Sequence, residues 1–304
     1  MSYDCLECRK EFSSRKSLHL HLKKHGGMAP YYHKHFPRRD LLTGELIDFE
    51  NSDQYLRAIF QNEENQSKHL SQCSKNEGRD LLVKHFTEYK DGKGGEFFPC
   101  QNYLKLAKLP TVDRVKFFYG DCKSFCDEVG LGQIYNKRLP KEFSFEIPKD
   151  FQILIDTREQ KPYSFKNSIQ SKLDFGDYTV GGEYFTKTFV DRKSESDFKQ
   201  TFGVGYQRFK KEADRAKSFN SFLFIVVEAT IEDIKINNEN TKFKTNLSYS
   251  FHNVRELLSE YPNNIQFVFC KDRDKAKKTT QKILLFGDKL WSCDLQYYID
   301  HGLV

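Results

Sequence analysis

The apolar residues in the second half of the chain fall in short, dense runs. FQILID (151–156), KTFVDRK (187–193), SFLFIVVEA (221–229) and NIQFVFC (264–270) are rich in Phe, Ile and Val. Near-continuous apolar runs of this length suit strands covered on both faces of a sheet. Between them stand longer stretches with helical spacing, ESDFKQTFGVGYQRFKKEADRAKSF and DRDKAKKTTQKILLF. The alternation predicts an α/β layer structure with helices flanking a sheet. NNENTKFKTNLSYSFHNVRELLSEYP reads as a polar loop leading into a helix. WSCDLQYYIDHGLV reads as a closing segment packed through Trp291, Tyr297 and Tyr298.

The first half has a different texture. RDLLVKHFTEY predicts one amphipathic helix, and PCQNYLKLAKLP a shorter one between Pro99 and Pro110. TVDRVKFFYGDCKSFCDEVGL turns at Gly120 and continues as a helix through Phe125 and Val129. Short helices in this arrangement commonly form helix-turn-helix units. Upstream, NSDQYLRAIFQNEENQSKHLSQ predicts a helix capped near Asn51 to Asp53. Gly26-Gly27 predicts a flexible joint, and Pro30 and Pro37 break regular structure after it. The expected domains are residues 1–27, a linker with a helix over 28–78, a small all-α module over 79–140, and an α/β domain over 141–304.

Composition narrows the class. In 304 residues, 38% are hydrophobic and 15% aromatic, with 28 Phe, which is enough for a packed core. No stretch approaches 18 consecutive apolar residues, and residues 1 to 30 carry no signal-peptide-like apolar run, so no membrane partner is expected. The eight Cys are too scattered for a disulfide-stapled secreted scaffold. These features predict a soluble, intracellular protein. The formal net charge of +6 permits a polyanionic partner without requiring one.

Residues 5 to 25 read CLECRKEFSSRKSLHLHLKKH. Cys5, Cys8, His21 and His25 have the spacing C-x2-C-x12-H-x3-H, with Phe12 and Leu18 as the apolar pair of a small ββα unit. Two thiolates and two imidazoles suit tetrahedral Zn²⁺, and a core this small needs the metal to fold. The stretch resembles the C2H2 zinc-finger family over its whole module. Base-reading positions fall on Ser14, Ser17 and Leu20, none suited to bidentate base contacts. Arg15, Lys16, Lys23 and Lys24 are candidates for phosphate contacts. A structural or protein-binding finger is the alternative. His33, His35, His69 and Cys73 match no standard metal spacing. Cys122 and Cys126 share a helix face and are expected as buried free thiols.

In the C-terminal half, carboxylates gather at strand ends. Asp156 closes FQILID, Asp177 follows Gly176 in LDFGDYTV, and Asp191 and Lys193 close KTFVDRK. Strand alternation points Asp191 and Lys193 to one face and Arg192 to the other. Three acids can then converge at one end of the sheet, where clustered carboxylates call for a cation such as Mg²⁺ or Mn²⁺. A lysine beside such a metal suits phosphodiester hydrolysis. An Asp-x-Lys triplet alone is weak, since strand-end salt bridges are common.

The segments Ile155-Asp156-Thr157-Arg158-Glu159, Gly176-Asp177-Tyr178 and Asp191-Arg192-Lys193 with Asp197 resemble, in this order, the XPF-family nucleases over about residues 151 to 228. The resemblance implies a restriction-endonuclease-like fold and metal-dependent cleavage of DNA at branched or single-strand/double-strand junctions. It implies Asp177 and Asp191 as metal ligands and Lys193 at the attacking water. Asp156, Arg158, Arg192 and Asp197 complete the site, and Arg208 holds the site or a phosphate. Asp191 stands where that family usually has Glu. The tandem helix-hairpin-helix domain of many relatives has no counterpart here, which leaves a homodimer or a second subunit open. Residues 99 to 131 resemble the repeats attached to homing endonucleases, with Tyr119-Gly120 in place of Phe-Gly, and imply a DNA-binding helical module. The alternatives to an endonuclease are a non-catalytic DNA-binding protein on a nuclease scaffold, and a protein-binding adaptor acting through the finger.

Overall fold

The computed structural model describes residues 3–36, 49, 74–144, 146–242 and 244–304. The helix expected from Asn51 onward, with His69 and Cys73, lies outside them. The chain divides into two compact units, Met1–Lys84 and His85–Val304.

In the first unit, β1 (Tyr3–Asp4) pairs antiparallel with β2 (Glu11–Phe12), and α1 (Arg15–His21) packs on the hairpin. Ser14 caps α1 by accepting the Ser17 N–H at 3.1 Å. The expected joint after Gly27 is instead a helix, α2 (Met28–His35). Pro30 does not break it, because the first turn of a helix has no use for the missing N–H. Tyr31 enters a small core with Cys5, Leu18 and Leu22, and its hydroxyl accepts the Leu6 N–H at 3.0 Å. Lys34 and His35 both bind Glu7 at 2.8 Å. The folded module therefore runs past residue 27 to include α2. His33 stacks on Phe49 at 4.3 Å.

Helix α3 (Lys75–Tyr89) crosses the boundary between the units. The second unit is built on a six-stranded mixed sheet. Its strands are β3 (Ile153–Asp156), β4 (Ser168–Ser171), β5 (Tyr178–Val180), β6 (Thr188–Lys193), β7 (Phe222–Val227) and β8 (Ile265–Phe269), in the order β4-β3-β5-β6-β7-β8. β5 is antiparallel to both neighbours, and the other pairs are parallel.

β7 shows why its sequence is apolar throughout. Leu223, Ile225 and Val227 enter one core while Phe222, Phe224 and Val226 enter the other. Helices α7 (Glu195–Thr201), α8 (Tyr206–Ser218), α9 (Ile231–Asn240) and α10 (Leu247–Glu260) contribute to the first core, and α11 (Arg273–Phe286) to the second. The first of the long helical stretches breaks at Gly203-Val204-Gly205 into α7 and α8. The start of the expected polar loop, from Asn237 to Asn240, is the end of α9.

Helices α4 (Gln101–Ala107), α5 (Val112–Tyr119) and α6 (Cys122–Val129) form no separate module. Tyr103 and Leu106 of α4 lie in the same core as the sheet. Tyr297 and His301, in and just after α12 (Leu295–Asp300), bind Asp113 of α5 at 3.1 and 3.0 Å. The expected boundary at 140 thus cuts through a continuous packed unit. Cys126 is fully buried, which pushes its thiol up to about 12.

Side-chain amides close the outer edge of β8. Asn102 Nδ2 donates to the Phe267 carbonyl at 2.8 Å, and Gln296 Oε1 accepts the Phe269 N–H at 2.7 Å. Gln266, on β8 itself, accepts the Leu295 N–H at 2.8 Å and donates to the Cys293 carbonyl at 3.1 Å. A buried strand edge leaves peptide groups that need such partners.

Candidate active site and metal cluster

The site of the second unit lies where β6 ends. Alternation along β6 sends Asp191 and Lys193 toward α8 and Arg192 to the opposite face. Lys193 Nζ lies 2.6 Å from Asp191 Oδ1 and 2.5 Å from Oδ2. Asp177 immediately precedes β5. Its N–H donates to the Val190 carbonyl at 2.8 Å, and its Oδ2 accepts the Arg192 N–H at 2.7 Å.

Gly176 makes this approach feasible. Its φ is +68°, and a Cβ there would stand 3.2 Å from the Val190 carbonyl oxygen.

Burial, followed by the charge of Asp191, pushes the Asp177 carboxyl well above its ordinary range. Burial and Asp191 likewise raise Glu212 on α8, whose Oε1 accepts the Gly176 N–H at 2.9 Å. Burial disfavours the Lys193 ammonium, but Asp191, Asp177 and Glu212 outweigh it and raise its pKa. Asp191 is held at both oxygens by the Lys193 ammonium, at 2.6 Å from Oδ1 and 2.5 Å from Oδ2. Two neighbouring carboxylates that raise each other's energy are the donor chemistry of a hard divalent cation. Asp177 and Asp191 could hold one.

Asp156 does not join them. Its Oδ1 accepts from Arg158 N and Nε, both at 2.7 Å, and its Oδ2 accepts from Arg158 Nη2 and Leu173 N at 2.9 and 2.8 Å. Burial opposes ionisation, but these donors hold its pKa below the usual range. A carboxylate so fully used positions Arg158 rather than a metal, so two of the three expected acids converge, not three. Arg192 also borders the cleft at this end of the sheet, but its guanidinium is committed to neighbouring carboxylates. It is 7% exposed, with Glu159 at 3.2 Å, Glu228 at 3.3 Å and Asp197 at 4.0 Å. Asp197 accepts the Ser194 hydroxyl at 2.6 Å at the start of α7.

The open cleft at this end of the sheet has a volume of about 560 Å³. Arg158, Asp177, Lys193, Asp197 and Arg208 are among the residues that line it. Arg208 is exposed on the first turn of α8. The sequence does not place Glu212 or Glu228 at this end of the sheet, and it shows Glu159 in the first motif without its partner Arg192. For Glu212 the available signal was its position four residues after Arg208 on the same helix.

In the first unit, the ligand atoms of Cys5, Cys8, His21 and His25 lie within 4.8 Å of one another. It is the sole group of three or more metal-ligating side chains so gathered among the described residues. His21 Nε2 lies 3.2 Å from His25 Nε2 and 3.2 Å from Cys8 Sγ. Ligand atoms about 2.0–2.3 Å from a tetrahedral centre stand at comparable separations. Burial and the neighbouring His25 lower the His21 pKa, which favours the neutral imidazole that binds metal. Arg15, Lys16, Lys23 and Lys24 are exposed. No described helix is long and apolar enough to cross a membrane.

No protein-family model and no curated protein matches the chain. Solved structures similar to it include XPF from Aeropyrum pernix in complex with DNA, at 19% identity and a TM-score of 0.33 over 44% of this chain. The chain spans 63% of that structure's length, under two thirds. A second structure of XPF from Aeropyrum pernix has 19% identity and a TM-score of 0.34, covering 50% of this chain and 72% of the other.

Proposed function

We propose that the protein is a metal-dependent endonuclease that hydrolyses phosphodiester bonds in branched or junction-containing DNA. The observation carrying this reading is the meeting of Asp177, Asp191 and Lys193 beside an open cleft edged by Arg158 and Arg208. A divalent cation, Mg²⁺ or Mn²⁺, held by Asp177 and Asp191 would screen the phosphate and acidify a bound water. Lys193 Nζ, released from Asp191, then donates to the attacking water or to the developing charge on phosphorus-bound oxygen. Asp156 fixes the Arg158 guanidinium at the cleft, where it and Arg208 grip phosphate oxygens. Glu212 holds the Gly176 N–H and so the backbone that presents Asp177. Zn²⁺ in the Cys5, Cys8, His21 and His25 cluster folds the finger, and Arg15, Lys16, Lys23 and Lys24 contact phosphates without reading bases.

One observation favours a second reading. The closed Lys193–Asp191 ion pair already neutralises one of the two metal ligands, as a non-catalytic DNA-binding scaffold would permit. Labelled duplex, flap, fork and single-stranded DNA, incubated with Mg²⁺ or Mn²⁺, separate the two. The endonuclease reading expects junction cutting, reduced at least ~100-fold by Asp177→Asn and by Lys193→Met. Tight binding with no cutting in either metal selects the scaffold. Cutting that is unchanged in both variants refutes this site.

A further inference from the structure

The turn Gly203-Val204-Gly205 joins α7 to α8 at the rim of the cleft. Val204 is 94% exposed, although Phe202 two residues before it is fully buried. The projection is rigidly built. Phe202 is fixed by the Asn253 Nδ2 donor at 2.9 Å, the Gly203 N–H donates to Lys199 O at 3.1 Å, and the Gly205 N–H to Gln200 O at 2.9 Å. A Cβ at Gly203 would stand 2.6 Å from the Lys199 carbonyl oxygen, and one at Gly205 3.1 Å from that of Gln200. Gly203 is therefore required by the turn that thrusts Val204 outward, and Gly205 fits it closely.

Val204 divides two hollows. On one side is the polar cleft of the candidate active site. On the other is a second pocket of about 410 Å³, walled by Gln200, Val204, Asn246 and Tyr249 among others. Gln200 and Val204 border both, so the two surfaces are continuous. Tyr249 is 48% exposed in the first turn of α10, with its ring available as a platform. A phosphate-binding cleft that continues over an apolar ridge into a tyrosine-walled pocket alternates as a single strand does, phosphate then base.

Resting on the endonuclease reading, we propose that this second pocket is a base-binding subsite. The unpaired base next to the phosphate in the cleft stacks on Tyr249 and hydrogen-bonds Asn246 or Gln200. Val204 takes the place of its former neighbour in the stack and keeps the complementary strand out. Tyr249 and Val204 are then specificity-determining residues that act on substrate choice and not on the chemical step.

The test uses the full chain and a DNA fork with 2-aminopurine at the first unpaired position, measured by fluorescence in Ca²⁺ so that affinity is read without turnover. Tyr249→Ala should weaken fork binding about 10-fold and abolish the fluorescence change. Tyr249→Phe should stay within about twofold, and Val204→Gly should narrow the preference for fork over fully paired duplex. Duplex affinity should be the same in all variants, and matching urea midpoints check that these surface changes leave the fold intact. Equal fork affinity and equal fluorescence in Tyr249→Ala and the native chain overturn the proposal. Because the readout is binding, it stands or falls apart from the cleavage assay. A native chain that binds the fork with the fluorescence change but never cuts would refute the endonuclease and keep the subsite.

Discussion

Replacing Arg192 by Met tests whether this residue of the strand-end motif is a buttress and not a reacting group. Its guanidinium serves Glu159 through Nε at 3.2 Å and Nη2 at 3.3 Å, and Glu228 through Nη1 at 3.3 Å. Those carboxylates are 5% and 10% exposed. Removing one partner of a buried ion pair costs about 3–5 kcal/mol, because the other charge is left desolvated. Each acid keeps one donor, Lys161 N–H for Glu159 at 2.6 Å and Arg273 for Glu228 at 2.5 Å. The lower end, about 3 kcal/mol, is therefore expected. Against a total stability of roughly 5–15 kcal/mol this is a large fraction. Urea unfolding followed by circular dichroism reads it as a midpoint fall of about 1–1.5 M, for a slope near 2–3 kcal/mol per M. Adding Glu159→Gln removes one stranded charge and should restore about half the loss. An Arg192→Met chain within about 1 kcal/mol of the native one, or a double variant less stable than the single, would refute the reasoning.

Two further outcomes follow from other sites. Asp294 is half-buried and accepts the Gln101 N–H at 2.6 Å, yet desolvation pushes its pKa from 3.8 up to about 6. A raised folded pKa gives stability that is present below 3.8 and lost as pH climbs through about 6. Asp294→Asn should thus gain on the native chain by up to about 3 kcal/mol between pH 4 and pH 7.5, and an equal difference at both pH values would contradict it. Separately, chelating the finger metal should abolish amide protection over residues 3–36, α2 included, because Tyr31 shares the finger core; protection of α2 that persists without metal would show that the helix stands alone.

The sequence announced the central strands because both faces of β6, β7 and β8 are covered, so their apolar runs are unbroken. It did not announce β4, whose SIQS has no buried residue, or mark off β5, which has only three residues. The α4 stretch looked like a peripheral amphipathic helix, since nothing local tells that Gln101 and Asn102 are buried against β8 and α12. At the site, strand parity placed Asp191, Lys193 and Arg192 on their proper faces. Asp156 was misjudged because its partners, the Arg158 guanidinium and the Leu173 N–H, meet it only through a loop. Glu212 was missed because a helix far along the chain brings it to Gly176.

The amide clamp on β8 bears on the order in which the protein comes into being. Asn102 is made long before β8, while Gln296 is made after it. At ~5–20 residues per second, the stretch from Phe269 to Gln296 takes about 1–5 s to emerge. During that interval β8 lacks its Gln296 partner, and its free peptide groups are open to any strand that passes. The emergence of Gln296 then completes a cover for the edge that Asn102 alone leaves half open.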